Sequence, residues 1–168
     1  MTELTFRSVS RSDAPTLVDI YNHYIATSTV TFDIDPWTVD DMVHKVETVE
    51  ALGMPFIVVE LSDAVVGYAY LSTWREKSAY ATTMENTLYV RDDIRGQGIG
   101  GPLLNELLDR GQRAGVREVI AVIANSVDAT PSIRLHEKNG FTTVGEMANV
   151  GVKFGARLGV IMMQRSLA

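Results

Sequence analysis

Four glycines, Gly96, Gly98, Gly100 and Gly101, fall within six residues of "IRGQGIGGPLLNELL", directly ahead of an amphipathic segment. Glycine there costs conformational entropy and in return lets a ligand approach the main chain with no Cβ in the way. The N-terminus of the helix that follows offers unpaired N–H groups and the positive end of a dipole, a place for an anion. Two side chains elsewhere have the chemistry to act beside such an anion. Glu85, in "TMENTLYV", shares one face of a predicted strand with Thr83, Thr87 and Tyr89. It reads either as a general base or as a solvated strand residue. His136, in "SIRLHEKNGF", reads either as a hydrogen-bond or proton donor or as a histidine favoured by the negative end of its helix.

The glycine segment has several readings. A turn with a helix cap would need one or two glycines, not four. Gly96, Gly98 and Gly101 also spell G-x-G-x-x-G, a dinucleotide fingerprint. That fingerprint belongs in a doubly wound parallel fold, with an acid closing the next strand to hold the ribose. Here the next strand ends in Asn125, and three antiparallel-looking strands come first, so a nicotinamide-dependent oxidoreductase ranks last. No Gly-Lys-Ser/Thr follows, which excludes a P-loop.

Covalent and metal chemistry are both disfavoured. The chain has no cysteine and no G-x-S-x-G elbow. Ser132 and His136 stand four apart on a predicted helix, but no oriented acid completes a triad. The three histidines, His23, His44 and His136, offer no metal-ligand spacing. His23 and His44 read as structural, and His23 in "YNHY" keeps a possible substrate-side role.

The 168 residues suit one domain, 1–168, with a substantial core. The net charge of -6 and the scattered Lys and Arg argue against nucleic acid as a partner. The longest apolar runs, "VIAVIA" and "GVIMM", fall short of the ~20 residues needed to span a bilayer. The amino-terminal "MTELTFRSVSRSDAP" is too polar for a leader. A cytoplasmic protein without membrane contact is the expectation.

Periodicity and turn signals predict the elements that hold these groups. A strand over Leu4–Val9 precedes a helix opened by Asp13 as cap and Pro15 in the first turn. A second helix starts at Thr38, with Asp41 forming a capping-box pattern, and runs to about Val49. Strands Phe56–Leu61 and Val65–Ser72 form a hairpin through "SDA". Thr82–Val90 is a strand that delivers the chain to the glycine segment and its helix, which ends near Ala114. Val119–Ala124 reads as a central strand covered on both faces. Pro131 starts a helix stopped by Asn139 and Gly140. Strands over Phe141–Val150 and Leu158–Arg165 finish the chain. The order β-α-α-β-β-β-α-β-α-β-β contains one parallel crossover in an otherwise antiparallel chain.

"R95-G-Q-G-I-G100" is R-x-x-G-x-G, and it resembles the acyl-CoA-binding signature of the GCN5-related N-acetyltransferases. The stretches "IYNHYIATSTVTFD", "VVGYAYLSTWR", "MENTLYVRDDIRGQGIG", "AVIANS", "LHEKNGF" and "VGVKFG" are similar to the phosphinothricin/methionine sulfoximine acetyltransferase branch, from Ile20 to Gly155. The fold this implies is a single α/β domain. It holds a seven-stranded mixed, mostly antiparallel sheet with a splayed central parallel pair and about four helices on both faces.

The function implied is transfer of acetyl from acetyl-CoA to a small-molecule amine, by direct attack in a ternary complex. Acceptors in the branch are small amino acids or analogues, and homodimers are common; Trp37 and Tyr80 read as exposed aromatics compatible with one. The resemblance makes Glu85 the base and His136 the partner of the CoA sulfur, where many relatives carry tyrosine. Arg95, Gly96, Gln97, Gly98, Ile99, Gly100 and Gly101 would cradle the pyrophosphate. Leu88, Tyr89 and Val90 would lie along the thioester, with a main-chain N–H for the oxyanion. Asn125 and Ser132 would touch the pantetheine arm.

On the acceptor side stand Phe32, Trp74, Arg75, Asn86 and Thr87 beside Glu85. Arg75 has the geometry to pair a carboxylate through two bonds. One stretch departs from the branch: Arg157 stands where tryptophan is usual and Gly159 where aspartate is usual, within Ala156-Arg157-Leu158-Gly159. This bears on the acceptor side. A non-catalytic acyl-CoA sensor and an acetyltransferase for another amine or a peptide are the alternative readings.

Overall fold

The computed structural model describes residues 3–168; Met1 and Thr2, at the head of the polar amino-terminal stretch, lie outside the described residues. Seven strands are hydrogen-bonded into one sheet in the order β1-β2-β3-β4-β5-β7-β6. They are β1 (Leu4–Ser8), β2 (Phe56–Leu61), β3 (Ala64–Thr73), β4 (Thr83–Val90), β5 (Glu118–Asn125), β6 (Thr142–Lys153) and β7 (Ala156–Ser166). Four α-helices accompany them: α1 (Ala14–Thr27), α2 (Val39–Ala51), α3 (Gly100–Arg113) and α4 (Thr130–Lys138). The expected order, strand count and mixed sheet are all present. β4 and β5, joined through α3, form the parallel pair.

Each face of the sheet carries its own core. On one, Leu103, Leu104, Leu107 and Leu108 of α3 pack on Leu71, Met84, Val119 and Met163. On the other, Leu17, Tyr21 and Tyr24 of α1 and Met42, Val46 and Val49 of α2 pack on Val58, Tyr68 and Tyr70. The alternation along β4 divides its side chains between them. Met84, Asn86, Leu88 and Val90 face α3 and α4, while Glu85, Thr87 and Tyr89 face the aromatic side.

Local chemistry accounts for most boundaries. Thr38 caps α2, its hydroxyl accepting from the Asp41 N–H at 3.1 Å while the Asp41 carboxylate accepts from the Thr38 N–H at 2.7 Å. Ser62 and Asp63 both have positive φ and close the β2–β3 hairpin in two residues, shorter than the expected three. Asp13 departs from its expected role. Its side chain does not cap α1; it reaches back to the Ser10 N–H at 2.7 Å and pairs with Arg7 at 2.8 Å. This closes a preceding 3₁₀ turn, and the Arg7 guanidinium holds the Asp13 carboxyl below its usual range. Trp37, expected exposed, is half-buried, edge-on to Tyr21 at 4.9 Å with its indole N–H donating to Asp33 at 3.0 Å.

The largest difference from expectation is the last hairpin. β6 runs on to Lys153 and β7 begins at Ala156, so Phe154 and Gly155, both at positive φ, make a two-residue turn. The divergent Ala156–Gly159 stretch is therefore the start of β7. Gly159 has a steric reason: a Cβ there would lie 2.4 Å from the Met147 carbonyl oxygen, where β6 bulges between Met147 and Gly151. An aspartate cannot occupy that position while the bulge persists.

Candidate active site

The parallel pairing of β4 with β5 lasts only from Thr83–Glu85 against Glu118–Ile120. Beyond it the strands diverge, β4 staying with β3 and β5 with β7. The facing edges of Asn86–Val90 and Ala121–Asn125 thus carry main-chain groups without ladder partners across the gap. This also corrects the expectation that β5 is covered on both faces: Val122 is 38 % exposed because it borders the gap. The gap widens into a cleft of about 690 Å³ running from the glycine loop to Glu85.

At the loop end, Gly96 and Gly98 have φ of +78° and +79°, in the region where a side chain is strained. A Cβ on Gly96, Gly98 or Gly101 would meet nothing within 4 Å, so these positions open onto the cleft. No side chain caps α3, and the N–H groups of Gly96 to Gly101 find no main-chain acceptor among the described residues. Gly100 differs: it lies against Leu135 of α4 and serves helix contact. Arg95 is tied to Asp92 at 2.6 Å, with its guanidinium 5.8 Å from the Tyr24 ring. Arg134 and Lys138 of α4 also border the cleft; nothing in their local pattern signalled this.

Mid-cleft, His136 is 3 % exposed. Its Nδ1 lies 2.7 Å from the Ser132 carbonyl oxygen, which can only accept, so Nδ1 carries the hydrogen. Nε2 is then an acceptor, and the Asn86 amide donates to it at 3.0 Å. Burial lowers the His136 pKa, partly opposed by the Ser132 carbonyl, so the ring is neutral at pH 7. The Asn86 Oδ1 is buried with no hydrogen-bond partner. The Asn86–His136 pair joins two residues 50 apart, which sequence spacing does not reveal.

At the far end, Glu85 is half-buried, and burial raises its carboxyl pKa against the lowering charges of Arg75 and Lys45. Thr87, Leu88, Tyr89, Val90 and Ile99 line the cleft, as do Ser132 and Phe32. Phe32 lies over Gly151, where a Cβ would be 2.5 Å from its ring. The buried Lys153 ammonium donates to the Ser28 and Thr31 carbonyls at 2.8 and 2.9 Å, pinning that loop to the β6–β7 hairpin. Gln97 and Asn125 are exposed and do not line the cleft. Trp74 and Arg75 line a separate depression with Tyr80, the guanidinium 4.7 Å from the Trp74 ring. No cluster of potential metal ligands occurs among the described residues.

Residues 17–141 match the Acetyltransferase (GNAT) family. The chain is 36% identical to the phosphinothricin N-acetyltransferase of Alcaligenes faecalis, over 97% of this chain and 82% of that protein. It is 34% identical to the L-methionine sulfoximine/L-methionine sulfone acetyltransferase of Salmonella typhimurium, over 98% and 95%. The fold superimposes with a TM-score of 0.93 on a phosphinothricin acetyltransferase from Sinorhizobium meliloti, solved in complex with AcCoA. That protein is 34% identical, and the match covers 100% of this chain and 90% of it.

Proposed function

Because the chain belongs to the acetyltransferase (GNAT) family, we propose that it moves the acetyl group of acetyl-CoA to the α-amine of a small amino acid or amino-acid analogue. The acceptor is of the phosphinothricin, methionine sulfoximine or methionine sulfone type, and attack is direct, with both substrates bound. The observation that carries this reading is one continuous cleft with an open main-chain cradle at one end and a half-buried carboxylate at the other.

The cradle fits a pyrophosphate: Gly96, Gly98 and Gly101 admit a ligand to the main chain, and the unpaired N–H groups ahead of α3 suit an anion. Bound acetyl-CoA supplies the activated acetyl thioester. Arg95 borders the cleft beside the loop and Ser132 lines it on the side proposed for the pantetheine arm, while Gln97 and Asn125, outside the cleft lining, would reach the cofactor only from its rim. The free N–H edge of Leu88–Val90 offers a donor to a carbonyl oxygen that gains negative charge. Glu85 takes the amine proton, directly or through a water; its raised pKa makes it a better base than a solvated glutamate. His136 acts toward the sulfur. As a neutral ring with Nε2 as acceptor it must first gain a proton to donate one, and a turned Asn86 amide would offer its unpartnered Oδ1 to that N–H. Arg75, whose charge reaches Glu85 from the neighbouring depression, receives the acceptor carboxylate with Trp74 beside it, and Phe32 and Thr87 shape the cleft side; Asn86, on the opposite face of β4, is turned to His136 instead.

The reading includes a cytoplasmic homodimer. What supports a dimer is the edge strand β6, whose Val144, Val150 and Val152 are more than half exposed, with Phe154 beside them in the turn.

Free-thiol release from acetyl-CoA, measured against phosphinothricin, methionine sulfoximine, methionine sulfone, the common amino acids, a polyamine and a basic peptide, tests the reading. Release with an amino acid or analogue supports it. Release only with the polyamine or peptide refutes the acceptor class, and acetyl-CoA binding without any turnover favours a sensor.

A further inference from the structure

The aromatic side of β4 holds a second cation that no sequence motif marks. Lys45, on α2, is half-buried, and its ammonium lies 5.9 Å from the Trp37 ring centroid and 5.8 Å from that of Tyr70. Tyr70 pairs with Thr87 across the β3–β4 ladder and Ser72 pairs with Glu85, so Tyr70 is the diagonal neighbour of Glu85 on the same face. The charges of Lys45 and Arg75 both reach the Glu85 carboxyl.

The arginines in ion pairs are Arg7, Arg11, Arg91, Arg95 and Arg110, and Lys45 and Arg75 have no such partner among the described residues. A second carboxylate on this face, Asp33, is engaged by the Tyr21 hydroxyl and the Trp37 indole N–H. Two cations without ion-pair partners among the described residues therefore act by charge on one carboxylate that has none. A zwitterionic amino acid would set its ammonium toward Glu85 and its carboxylate toward Arg75, leaving Lys45 unmatched. Cation–π contact with Trp37 and Tyr70 holds the ammonium in place but supplies no counter-charge.

We infer that Lys45 is a second anion-binding point of the acceptor site, selecting amino acids whose side chain carries a negative group, a carboxylate or a phosphinate. This rests on the amino-acid acceptor reading above. It places glutamate-like and phosphinothricin-like acceptors ahead of those with neutral sulfoximine or sulfone side chains.

The test is kcat/KM for glutamate, aspartate and phosphinothricin on one arm and methionine sulfoximine and methionine sulfone on the other. Wild type, Lys45→Met and Lys45→Glu are compared, with acetyl-CoA binding as the check that each variant is folded. The ratio of anionic-arm to neutral-arm kcat/KM should fall about tenfold or more in Lys45→Met, mainly through KM, the size of one lost charge-assisted contact. It should fall further in Lys45→Glu. Glutamate against phosphinothricin separates carboxylate from phosphinate. A ratio that stays put, or both arms falling together, overturns the inference while leaving the amino-acid reading intact. Wild type that turns over neither arm overturns both.

Discussion

At the glycine-loop end of the cleft the groups open to a ligand are main-chain N–H groups, whereas at the Glu85 end they are side chains drawn from separate segments. Glu85 comes from β4 and Phe32 from the loop between α1 and α2, while Arg75, from the loop before β4, and Lys45, from α2, lie outside the cleft lining and act on Glu85 through their charge. A main-chain site needs particular backbone angles, and glycine supplies them locally, as at Gly96 and Gly98. A side-chain site needs only that distant elements converge, so each residue can change without disturbing its neighbours in sequence. The first kind of site is rigidly encoded, and the second is where specificity can drift.

The sharpest way to break this contrast is at Glu85, where the two ends meet. Glu85→Gln should cut kcat by about 10²–10⁴-fold, the usual worth of a general base, with acetyl-CoA affinity retained. The same change should not destabilise the fold at neutral pH. Burial raises the Glu85 pKa, so its contribution to stability is present below about pH 4.5 and is lost as pH rises through the raised value. Thermal melts of Glu85→Gln should therefore gain on wild type as pH increases from 4.5. A melt that falls at pH 7 would give Glu85 a structural role instead.

Gly98→Val tests the main-chain end. Forcing a β-branched residue to φ near +79° costs about 1–3 kcal/mol, so acetyl-CoA should bind roughly tenfold or more weakly by calorimetry. The acceptor preference should be unaltered. Arg75→Ala probes the other end. The acceptor KM should rise about tenfold, and Arg75→Lys should restore only part, because an ammonium cannot pair a carboxylate through two parallel bonds. Equal damage to acetyl-CoA binding would erase the distinction between the two ends.

The smallest effect is expected mid-cleft. Asn86→Ala removes the donor to His136 Nε2 and should cost about 1 kcal/mol of stability. The depressed His136 pKa makes stability fall as pH drops below 6.5, since the unfolded chain takes up the proton first. Asn86→Asp should raise the His136 pKa and shift this fall to lower stability loss, a change visible in the imidazole NMR titration.

The same contrast explains what could be read from the sequence. The succession of elements along the chain, the α2 cap at Thr38 and Asp41, and the glycine loop are local signals, and each has its counterpart in the structure. The β6–β7 turn carries no such signal, because Phe154 takes a positive φ that aromatic residues rarely adopt. Asp13 was legible as a cap but its carboxylate is drawn to Arg7, a partner on another element. The Asn86–His136 bond and the position of Lys45 over Trp37 and Tyr70 depend on tertiary convergence alone. Gly159 shows the same limit: its reason is a bulge on the neighbouring strand.

The most direct test of the central claim, that donor and acceptor occupy the two ends of one cleft together, is an initial-rate grid over acetyl-CoA and acceptor concentrations. Double-reciprocal lines that intersect are the predicted result, since direct attack requires both substrates bound at once. Parallel lines would mean that the acetyl group passes through a covalent enzyme form, and would contradict the account.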